Sequence, residues 1–436
     1  MAKSKSKTQQ GASGSTENSP SPLAQPASSF QLKTNRTRQR DSPFISMGIR
    51  FRVNVEALNM VETAGNLTKH RVVPIVIYKG GNYSLKWYPA LSGETLAHAI
   101  QANLALLEKR ENKENAKLCY FCSLPEPEFI KHTFLDFLDK LKQQNVIPDL
   151  PEWEKNLIDG KFYDEDKDKT IEEKVEKTIV ENCVVEDIGG FLITKSSDKI
   201  QLSIGMLRRT SAFQVSYAIP TEDSLEEAST TDIQMQVRMA PTALLYANKT
   251  NDENSKMLQT PFNKEMASTT YSFVFNFDAD KVGISALTNS PLLNNDERIR
   301  RAKLLLDALR LVLDGQYGAS KSRYYPFISR EFILAAVSRG DVLFTVSSPA
   351  MKLEDFIEET VARAVTYVKE FGIKIKLYVW INSFFNRKKN IDRYIENIVN
   401  KYIPQTTKPD QAQPNSTPSS QQSSGNAEEM KLRVLA

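Results

Sequence analysis

The chain is poor in the residues that most enzymes use for catalysis. Its 436 residues include three histidines and three cysteines. No G-x-G-x-x-G follows a strand-like run, and no G-x-x-x-x-G-K-[ST], H-E-x-x-H or serine nucleophile elbow occurs. A histidine-based active site has little to draw on, because His70, His98 and His132 stand in no catalytic motif. We therefore predict a protein without catalytic residues and without a cofactor.

Long apolar runs are also missing. No segment holds about 18 uninterrupted apolar residues, so the sequence predicts no transmembrane helix. The first residues, MAKSKSKTQQ, lack the apolar stretch of a secretory signal. From these two features we expect a cytoplasmic protein that does not contact a membrane.

Cysteine is too scarce for a disulfide framework. Cys119 and Cys122 form a C-x-x-C pair, and Cys183 is the third cysteine. A structural zinc site needs four ligands, and the plausible additions to the pair are Cys183 and His132. Because the sequence has no second C-x-x-C, we favour free thiols over a metal site.

Composition divides the chain into a body between two polar tails. Residues 1–46 and 405–436 are rich in Ser, Gln, Thr and Pro, and both are predicted to be disordered. The first tail is basic, with seven Lys or Arg and two Asp or Glu. The stretch 146–188 is acidic, with six Lys against fourteen Asp or Glu. Without these segments the body, residues 47–404, is basic although the whole chain has a net charge of only +4, which favours a nucleic-acid partner.

Alternating apolar and polar residues predict many strands in the body. The sequence predicts a hairpin around Gly80-Gly81, and a long, thumb-like hairpin within 207–241 that pairs the run 212–220 with the run 230–241. The other predicted strands are 48–58, 191–205, 271–283, 341–348 and 373–381.

Helical patterns interrupt these strands. Helices are predicted at 93–110, 126–144, 295–313 and 353–371, with a further short helix after Pro326. Residues 111–188 are interpreted as a helical and acidic insertion. Interleaved helices and strands favour an α+β fold with a mixed sheet over a doubly wound nucleotide fold. The element order also fits a ferredoxin-like βαββαβ arrangement.

The most informative pattern opens the body. In G-I-R-F-R-V-N-V-E, apolar residues at odd positions from 49 to 55 alternate with Arg50, Arg52, Asn54 and Glu56. This period of two is typical of a half-buried strand. An outer row with two arginines and an asparagine suits phosphates and base edges.

Two segments downstream have the same character. The loop N-L-T-K-H-R supplies amide, hydroxyl and basic groups for phosphate contact. Ser92-Gly93 opens a helix whose first turn offers backbone N–H groups to a phosphate, although Ser92 also suits an N-cap. The candidate residues of these segments and the helix that follows are Asn66, Thr68, Lys69, His70, Arg71, Ser92, Gly93 and Gln101.

Two later segments add charge and apolar contact. Adjacent arginines in L-R-R-T-S suit a grip on a nucleic-acid backbone, and apolar side chains nearby suit contact with bases. In G-A-S-K-S-R-Y-Y-P, charge and aromatic rings share a flexible loop. The candidate residues are Met206, Arg208, Arg209, Thr210, Arg238, Met239, Lys321, Ser322, Arg323 and Tyr324, with Phe213 and Tyr325 beside them.

These segments also resemble one family when they are taken in order. SMGIRFRVNVEALNMVETAGNLTKHR, ALSGETLAHAIQ, MLRRTSAFQVSYAIP, PFNKEMASTTYSFVFNFDADKVG and DGQYGASKSRYYP are similar to the CRISPR-associated DevR-type autoregulator family. Members of that family are crRNA-binding backbone subunits of type I-A Cascade and are best known in archaea. The resemblance spans residues 47 to about 390 and excludes both tails.

The resemblance implies a fold and a set of partners. It implies an RRM-like palm with inserted finger and thumb elements, the thumb being the hairpin within 207–241. Copies of such a protein polymerise along one crRNA, the guide pairs with target DNA, and other Cascade subunits unwind and cut that DNA. By similarity, the guide groove is lined by Arg50, Arg52, Asn54, residues 66–71, Ser92-Gly93, Arg208-Arg209-Thr210 and residues 321–323.

Two other functions stay open at this point. One is a metal-dependent endoribonuclease that cuts guide-paired RNA, as backbone subunits of related complexes do with a loop aspartate. The other is a DNA-binding transcriptional regulator, as the family's name suggests. No aspartate stands in a clear catalytic setting and no helix-turn-helix pattern is present, so we favour the non-catalytic RNA-binding scaffold.

Overall fold

The alternating run that opens the body forms the central strand of a sheet. In a computed structural model of the chain, this strand, β1, covers Phe44–Glu56. The predicted apolar positions Ile49, Phe51 and Val53 are buried, and the alternation with exposed residues holds from Phe51 to Asn54. The structure describes residues 40, 42–64, 67–129, 140–141, 143–144, 150–161, 168–194, 202, 206–225, 230–239, 259–317, 324–383, 385–386, 390–402 and 430–435.

The other strands of the described chain are short, apart from three. They are β2 (Met60–Ala64), β3 (Leu67–His70), β4 (Val72–Lys79), β5 (Asn82–Pro89), β6 (Phe191–Ile193), β7 (Leu207–Arg209), β8 (Phe213–Val215), β9 (Ile219–Pro220), β10 (Thr230–Met239), β11 (Gln259–Asp278), β12 (Phe327–Arg339), β13 (Lys374–Ile381) and β14 (Met430–Leu435). The predicted hairpin of β4 and β5 is confirmed, and both turn glycines, Gly80 and Gly81, have positive φ as a two-residue hairpin turn requires.

The helices of the described residues are α1 (Gly93–Asn112), α2 (Tyr120–Ser123), α3 (Glu152–Ile158), α4 (Ile171–Asn182), α5 (Val184–Gly189), α6 (Asn295–Leu313), α7 (Leu353–Phe371) and α8 (Ile391–Tyr402). Three of them, α1, α6 and α7, have nearly the limits predicted for 93–110, 295–313 and 353–371. Within the described part of the chain, no helix combines the length and the apolar composition that crossing a bilayer requires.

Most strands join β1 in one mixed sheet. Its order is β14–β13–β12–β1–β11–β3–β2, and β8, β9 and β10 also pair with β11. β1 runs antiparallel to both neighbours, so that Ile49 lies opposite Phe273 of β11 and opposite Ile333 of β12. The β13–β14 and β11–β3 pairs are parallel. The predicted α+β class with a mixed sheet is therefore confirmed.

Helices pack on both faces of this sheet. On one face α1 and α6 contact each other, and Leu104 and Leu305 share a core with Phe273 of β11. On the other face α7 and α8 pack on β12 and β13, and the ring of Phe356 meets Phe332 edge-on at a centroid distance of 6.1 Å. The central strands are thus shielded from solvent over most of their length.

The two alternating runs at 212–220 and 230–241 do not pair with each other. β8 and β9 pair with the second half of β11, whereas β10 pairs with its first half. The predicted hairpin within 207–241 is therefore wrong, and the long hairpin of the structure joins β10 to β11. The physical reason is the length of β11, whose 20 residues offer one strand that both runs can pair with.

The region after Pro326 reverses another prediction. Phe327–Arg339 is strand β12 instead of a short helix, and residues 341–348 are not a strand. β12 is rich in good helix formers, but alternate residues such as Phe332 and Leu334 are buried. Pairing with β1 and β13 on its two edges overrides the helical propensity.

The insertion at 111–188 contains helices α2 to α5. In its acidic end, Ile171–Asn182 forms α4, which begins with a capping box in which Thr170 and Glu173 exchange hydrogen bonds. Of the helix predicted at 126–144, residues 126–129 are not helical, residues 140, 141 and 143 are helical, and residues 130–139 and 142 lie outside the described residues.

Both predicted tails contain ordered residues. β1 begins at Phe44, and the Arg40 side chain donates to the carboxylate of Asp278, so order starts before residue 47. At the other end β14 pairs with β13, with Leu432 opposite Leu377. The prediction of disorder over all of 1–46 and 405–436 is thereby corrected at the inner end of the first tail and the outer end of the second.

Candidate nucleic-acid interface

The polar row of β1 does not stay on one surface. Arg52 and Asn54 are exposed, as predicted. Arg50 is only 3 % exposed and donates to the carboxylate of Asp223, in the turn that follows β9. Arg50 is thereby removed from the predicted RNA-facing row, because its guanidinium is buried against a neighbouring loop of the same chain.

A β-bulge then reverses the alternation. The register of β1 against β11 shifts between Val53 and Glu56, and Val55 takes a φ of 54°. Val55 is consequently exposed and Glu56 buried, the opposite of the predicted pattern. Inside the core, Glu56 Oε1 accepts hydrogen bonds from His70 Nε2 (2.6 Å) and from the Tyr271 hydroxyl (2.7 Å). His70 is therefore a core residue, and its prediction as an RNA ligand is corrected.

The rest of the predicted loop lies on β3 and just after it. Asn66 falls outside the described residues, and Thr68 and Lys69 are half-buried on β3. Arg71 points toward Tyr217: its Nη1 donates to the hydroxyl at 3.3 Å, and its guanidinium lies 5.9 Å from the ring centroid. Tyr217 is 43 % exposed, so a cation and an aromatic face are presented together.

The start of α1 is capped and packed. Ser92 is buried as the N-cap, and its Oγ accepts from the backbone N–H of Thr95 at 3.2 Å. At Gly93 a Cβ would lie 2.5 Å from the carbonyl oxygen of Val215, so this turn lies against the chain just before Tyr217. The first turn of α1 is therefore less open to a phosphate than the sequence predicts.

Asn59 joins the start of α1 to Arg71. With its amide oriented to satisfy its neighbours, the Asn59 oxygen accepts from Ser92 N (3.2 Å) and from Arg71 Nε (2.9 Å). Arg71, Tyr217, Asn59 and Ser92 thus form one polar group, the Arg71 cluster. Of the residues predicted around this helix start, Arg71 is the one whose guanidinium lies beside an exposed ring.

Two further residues of α1 have packing roles. Gln101 is buried, and a Cβ at Gly189 would lie 2.0 Å from its Nε2, so the two helices approach closely there. Gln101 is therefore removed from the predicted groove. His98 is exposed at one edge and its ring meets Phe129 at a centroid distance of 4.9 Å, and burial lowers the pKa of His98.

The two arginines of L-R-R-T-S have opposite environments. Arg208 and Thr210 are exposed, and Met206 beside them is exposed as well. Arg209 is buried, and every N–H group of its guanidinium is engaged. It donates to the carboxylates of Asp187 and Glu176 and to three backbone carbonyls. The prediction of Arg209 as a groove residue is corrected, because no donor is left for a phosphate.

Asp187 is the centre of a buried ionic network that the sequence did not indicate. Its second carboxylate oxygen accepts from Nη1 of Arg301 at 2.9 Å, and Arg301 is fully buried on α6. Arg301 also donates to Glu297 at 2.7 Å. Burial opposes the charge of Glu297, but hydrogen bonds from Arg300 and Arg301 outweigh it and lower the pKa of Glu297 to about 2. From the sequence alone, these arginines would lie on the solvent-facing side of an amphipathic helix.

The remaining predicted residues are described only in part. The backbone of Arg238 and Met239 lies on β10, but their side chains are outside the description, as are Lys321, Ser322 and Arg323 entirely. Tyr324 is buried, and the ammonium group of Lys264 lies 5.1 Å from its ring centroid. Phe213, a candidate for base contact, is a core residue that stacks with Phe275.

Sequence reasoning missed an exposed ring beside the β1 row. Phe327 begins β12 directly opposite Asn54 and is 72 % exposed. Residues directly opposite across two strands share a face, so Phe327, Asn54 and Arg52 form one surface, the β1–β12 patch. Within it, Arg52 Nε lies 3.7 Å from Glu331 Oε1. An aromatic ring, an amide and a cation side by side are the groups that bind single-stranded RNA.

A separate group of side chains has the composition of a metal site. Cys119, Cys122 and Cys183 are buried together, and they are the cluster of possible metal ligands found in the described part of the chain. They lie in the core beneath α1, away from the exposed residues above.

Comparison with known proteins identifies relatives of the chain. A family model described as CRISPR-associated negative auto-regulator DevR/Csa2 matches residues 47–361. A Saccharolobus solfataricus protein named CRISPR-associated aCascade subunit Cas7/Csa2 2 is 29 % identical over 323 residues, which cover 73 % of this chain and 86 % of that protein. A Methanocaldococcus jannaschii protein named CRISPR-associated protein Cas7/Cst2/DevR is 27 % identical and covers 62 % of this chain and 83 % of its own length.

Solved structures give a more distant likeness. A chain of a CRISPR RNA-guided surveillance complex aligns at a TM-score of 0.37 and 9 % identity, covering 78 % of this chain and 88 % of that one. A pre-nicking form of such a complex aligns at 0.40, with 78 % and 92 % coverage. Alignments at this level carry no weight for the function of the chain. The sequence match alone agrees with the resemblance seen in the motifs.

Proposed function

The chain belongs to the CRISPR-associated negative auto-regulator DevR/Csa2 family, and we propose that it is a non-catalytic, crRNA-binding backbone subunit of a type I-A Cascade complex. In this proposal copies polymerise along one guide RNA and present it for pairing with target DNA, together with other Cascade subunits. Sequence specificity then comes from base pairing, and the protein contacts the RNA backbone and its shape. The Saccharolobus relative bears the name of an aCascade subunit, which supports an assembly of this kind.

The proposal includes an RRM-like palm. In chain order β1, α1, β8–β9, β11, α6 and β12 follow the βαββαβ succession of ferredoxin-like folds. Their strands lie side by side and antiparallel in the order β12–β1–β11–β8/β9, and both helices pack on one face. We assign the thumb to the β10–β11 hairpin, and the finger elements to the insertion at 111–188 and the β4–β5 hairpin.

One observation carries the RNA-binding proposal: an exposed arginine, Arg52, and a half-buried one, Arg71, each lie near an exposed aromatic ring. Arg71 lies over Tyr217, and Arg52 and Asn54 share a surface with Phe327. Cations neutralise phosphates while rings stack on bases, and neither contact requires a particular base. The proposed RNA-binding residues are Arg52, Asn54, Thr68, Lys69, Arg71, Tyr217, Met206, Arg208, Thr210 and Phe327, with Asn66, Arg238, Met239 and residues 321–323 as unchanged predictions from the sequence.

The test separates RNA contact from folding. Arg71→Ala and Tyr217→Ala, made in the full chain, should each weaken binding of labelled single-stranded RNAs by a similar factor whatever their base sequence. Arg71→Ala should also reduce the dependence of affinity on salt, because one phosphate contact fewer releases one counterion fewer. Arg310→Ala on α6, an exposed arginine outside both surfaces, serves as the charge-matched control. Unchanged affinity and salt slope in Arg71→Ala would refute its place in the groove.

Two experiments decide among the functions left open by the sequence. Sequencing of the nucleic acid that copurifies with the protein should yield CRISPR-repeat-derived guides. Tighter binding of duplex DNA than of single-stranded RNA would instead support a transcriptional regulator. Incubation of the assembled complex with guide-complementary RNA and Mg²⁺ should leave that RNA intact, and regularly spaced cuts would show an endoribonuclease.

An exposed apolar hairpin supports polymerisation. β4 and β5 pair only with each other within the described sheets, and their exposed side chains include Tyr78, Tyr83, Leu85 and Trp87. A lone two-stranded hairpin is marginally stable in water, and a contiguous apolar surface of this kind marks a contact site. We propose that the adjacent copy in the filament covers it.

A further inference from the structure

The three cysteines of the chain meet at one point in the core. Cys119, Cys122 and Cys183 are each buried, and their three Sγ atoms lie within 4.8 Å of one another. None of them forms a disulfide. Sixty residues of insertion separate the C-x-x-C pair from Cys183, so the fold and not the local sequence brings them together.

The local structure repeats on both sides of this point. Cys119 immediately precedes α2 and Cys122 lies within it, three residues on. Cys183 immediately precedes α5, and Glu186 lies within that helix at the same spacing. A spacing of three in a helical turn places both side chains on one side. The two segments are held together because the backbone N–H of Val184 donates to the carbonyl of Lys117 at 3.0 Å.

Glu186 lies beside the three thiols and contacts one of them. Its side chain is 1 % exposed, and its Oε1 accepts from Cys122 Sγ at 3.9 Å. A carboxylate is rarely placed among buried thiols for packing alone, since thiols pack as small apolar groups and a carboxylate does not. Three thiols and one carboxylate are, by contrast, a donor set that a divalent cation of intermediate softness accepts.

The sulfur–sulfur distances fit a small tetrahedral ion. With a zinc–sulfur bond of about 2.3 Å, sulfur atoms at the corners of a tetrahedron lie about 3.8 Å apart, so atoms now within 4.8 Å need to close by less than about 1 Å. The corresponding sulfur–oxygen edge is about 3.5 Å, against 3.9 Å between Cys122 and Glu186. Glu186 is not among the side chains whose ligand atoms all lie within 4.8 Å of one another, so its carboxylate has to move further than the sulfur atoms to reach the ion.

We propose that Cys119, Cys122, Cys183 and Glu186 bind one zinc ion. The ligands form a C-x-x-C motif followed by a distant C-x-x-E. Because the sequence has no second C-x-x-C, its pattern alone favours free thiols. The ion joins the beginning of the insertion at 111–188 to its end and fixes both to the core beneath α1. Because all four ligands are protein side chains, the site is closed and structural in type.

Zinc content of the purified full chain tests the site. We expect about one zinc ion per chain after gel filtration and dialysis against a weak chelator, and loss of that zinc in Cys119→Ser and Cys183→Ser. Glu186→Gln should bind zinc more weakly, whereas Glu128→Gln, a nearby exposed glutamate, should retain it. His132→Ala should also retain zinc, and its loss there would overturn the assignment of Glu186 as the fourth ligand.

A second measurement keeps the proposal open to refutation if a variant fails to fold. Cobalt added to metal-stripped, folded wild-type protein should produce thiolate-to-cobalt charge transfer and the intense visible bands of a tetrahedral site, saturating at about one equivalent. Wild-type protein that lacks zinc and gives no such bands would refute the site. A Cys119–Cys122 disulfide, found by alkylation and mass spectrometry of freshly purified protein, would do the same.

Discussion

The Nε2 atom of His70 lies 2.6 Å from Oε1 of Glu56, and neither side chain is exposed. The other ring nitrogen, Nδ1, lies 2.8 Å from the carbonyl oxygen of Arg71. A carbonyl and a carboxylate are both acceptors, so each ring nitrogen faces a group to which it must donate. The arrangement therefore fits a doubly protonated, positively charged His70 inside the core, opposite the carboxyl group of Glu56.

This pair predicts how stability depends on pH. Burial opposes the charge on His70, but the hydrogen bond to Glu56 and the charges of Glu56 and Glu265 outweigh it and raise the pKa of His70 above its ordinary value of 6.5. A raised pKa in the folded state stabilises the fold at pH values below about 6.5, and this contribution is lost as pH rises through the folded-state pKa. Urea unfolding of wild type relative to His70→Gln should show a difference that shrinks over that interval.

A second histidine provides the matched control. Burial lowers the pKa of His98. The difference in unfolding free energy between wild type and His98→Gln should therefore be small or should grow as pH rises. A His70→Gln variant whose stability follows the wild-type pH profile in parallel would show that folding leaves the pKa of His70 unchanged, and a stability difference that grows with pH would show that His70 is neutral in the folded protein.

The neighbouring arginines of β7 predict contrasting stabilities. Arg209→Met leaves the carboxylates of Asp187 and Glu176 buried with one partner fewer, which should reduce the free energy of unfolding by about 3–5 kcal/mol. Arg208→Met removes an exposed side chain and should change it by no more than about 0.5 kcal/mol. Denaturant titration of both variants measures the difference. Equal losses would mean that the Asp187 network does not hold this part of the fold together.

Gly93 is predicted to be required for packing. Alanine normally favours a helix over glycine, but a Cβ here would lie 2.5 Å from the carbonyl oxygen of Val215. The backbone after β8 would have to move, so Gly93→Ala should lower the melting temperature. Gly189→Ala is the comparison, because its new Cβ meets the flexible end of Gln101 and the smaller loss is expected there. A Gly93→Ala protein as stable as wild type would contradict the close approach.

The exposed rings of β5 are predicted to drive self-association. Tyr83 and Trp87 are 77 % and 65 % exposed, so Tyr83→Ser with Trp87→Ser should leave the monomer folded while reducing its assembly. Light scattering after gel filtration, with and without single-stranded RNA, measures the assembly. Phe371→Ser, an exposed ring at the end of α7, is the control and should assemble normally. Full assembly of the double variant would place the contact between copies elsewhere.

Local patterns were sufficient where the structure depends on neighbours in the chain. The helices at 295–313 and 353–371 have the predicted limits because the helical period lies within each segment and an end signal lies next to it, Asn294 as the N-cap of the first and Gly372 as the left-handed C-cap of the second. Strand partners depend on residues far away. The sequence therefore gave no means to choose β11 over the adjacent run as the partner of β10, or to recognise β12 behind its helix-forming residues.

In the candidate site, too, the environment of a residue depends on distant residues that the local sequence does not reveal. Arg208 and Arg209 are indistinguishable as sequence, and the strand places one outside and the other inside. Which one is buried depends on Asp187 and Glu176, both contributed by the insertion. The bulge after Val53 has the same effect, because it exchanges the environments of two adjacent residues that a strict alternation assigns the other way.

The length of β11 has a mechanical consequence. Its 20 residues form one continuous strand, about 66 Å long at about 3.3 Å per residue. One half pairs with β1 on one edge and with β8 and β9 on the other. The other half extends past the end of β1 and pairs with β10. A strand that is continuous from end to end transmits a force on one half to the other half. A force on β10 is therefore passed along β11 to the residues that pair with β1 in the middle of the sheet.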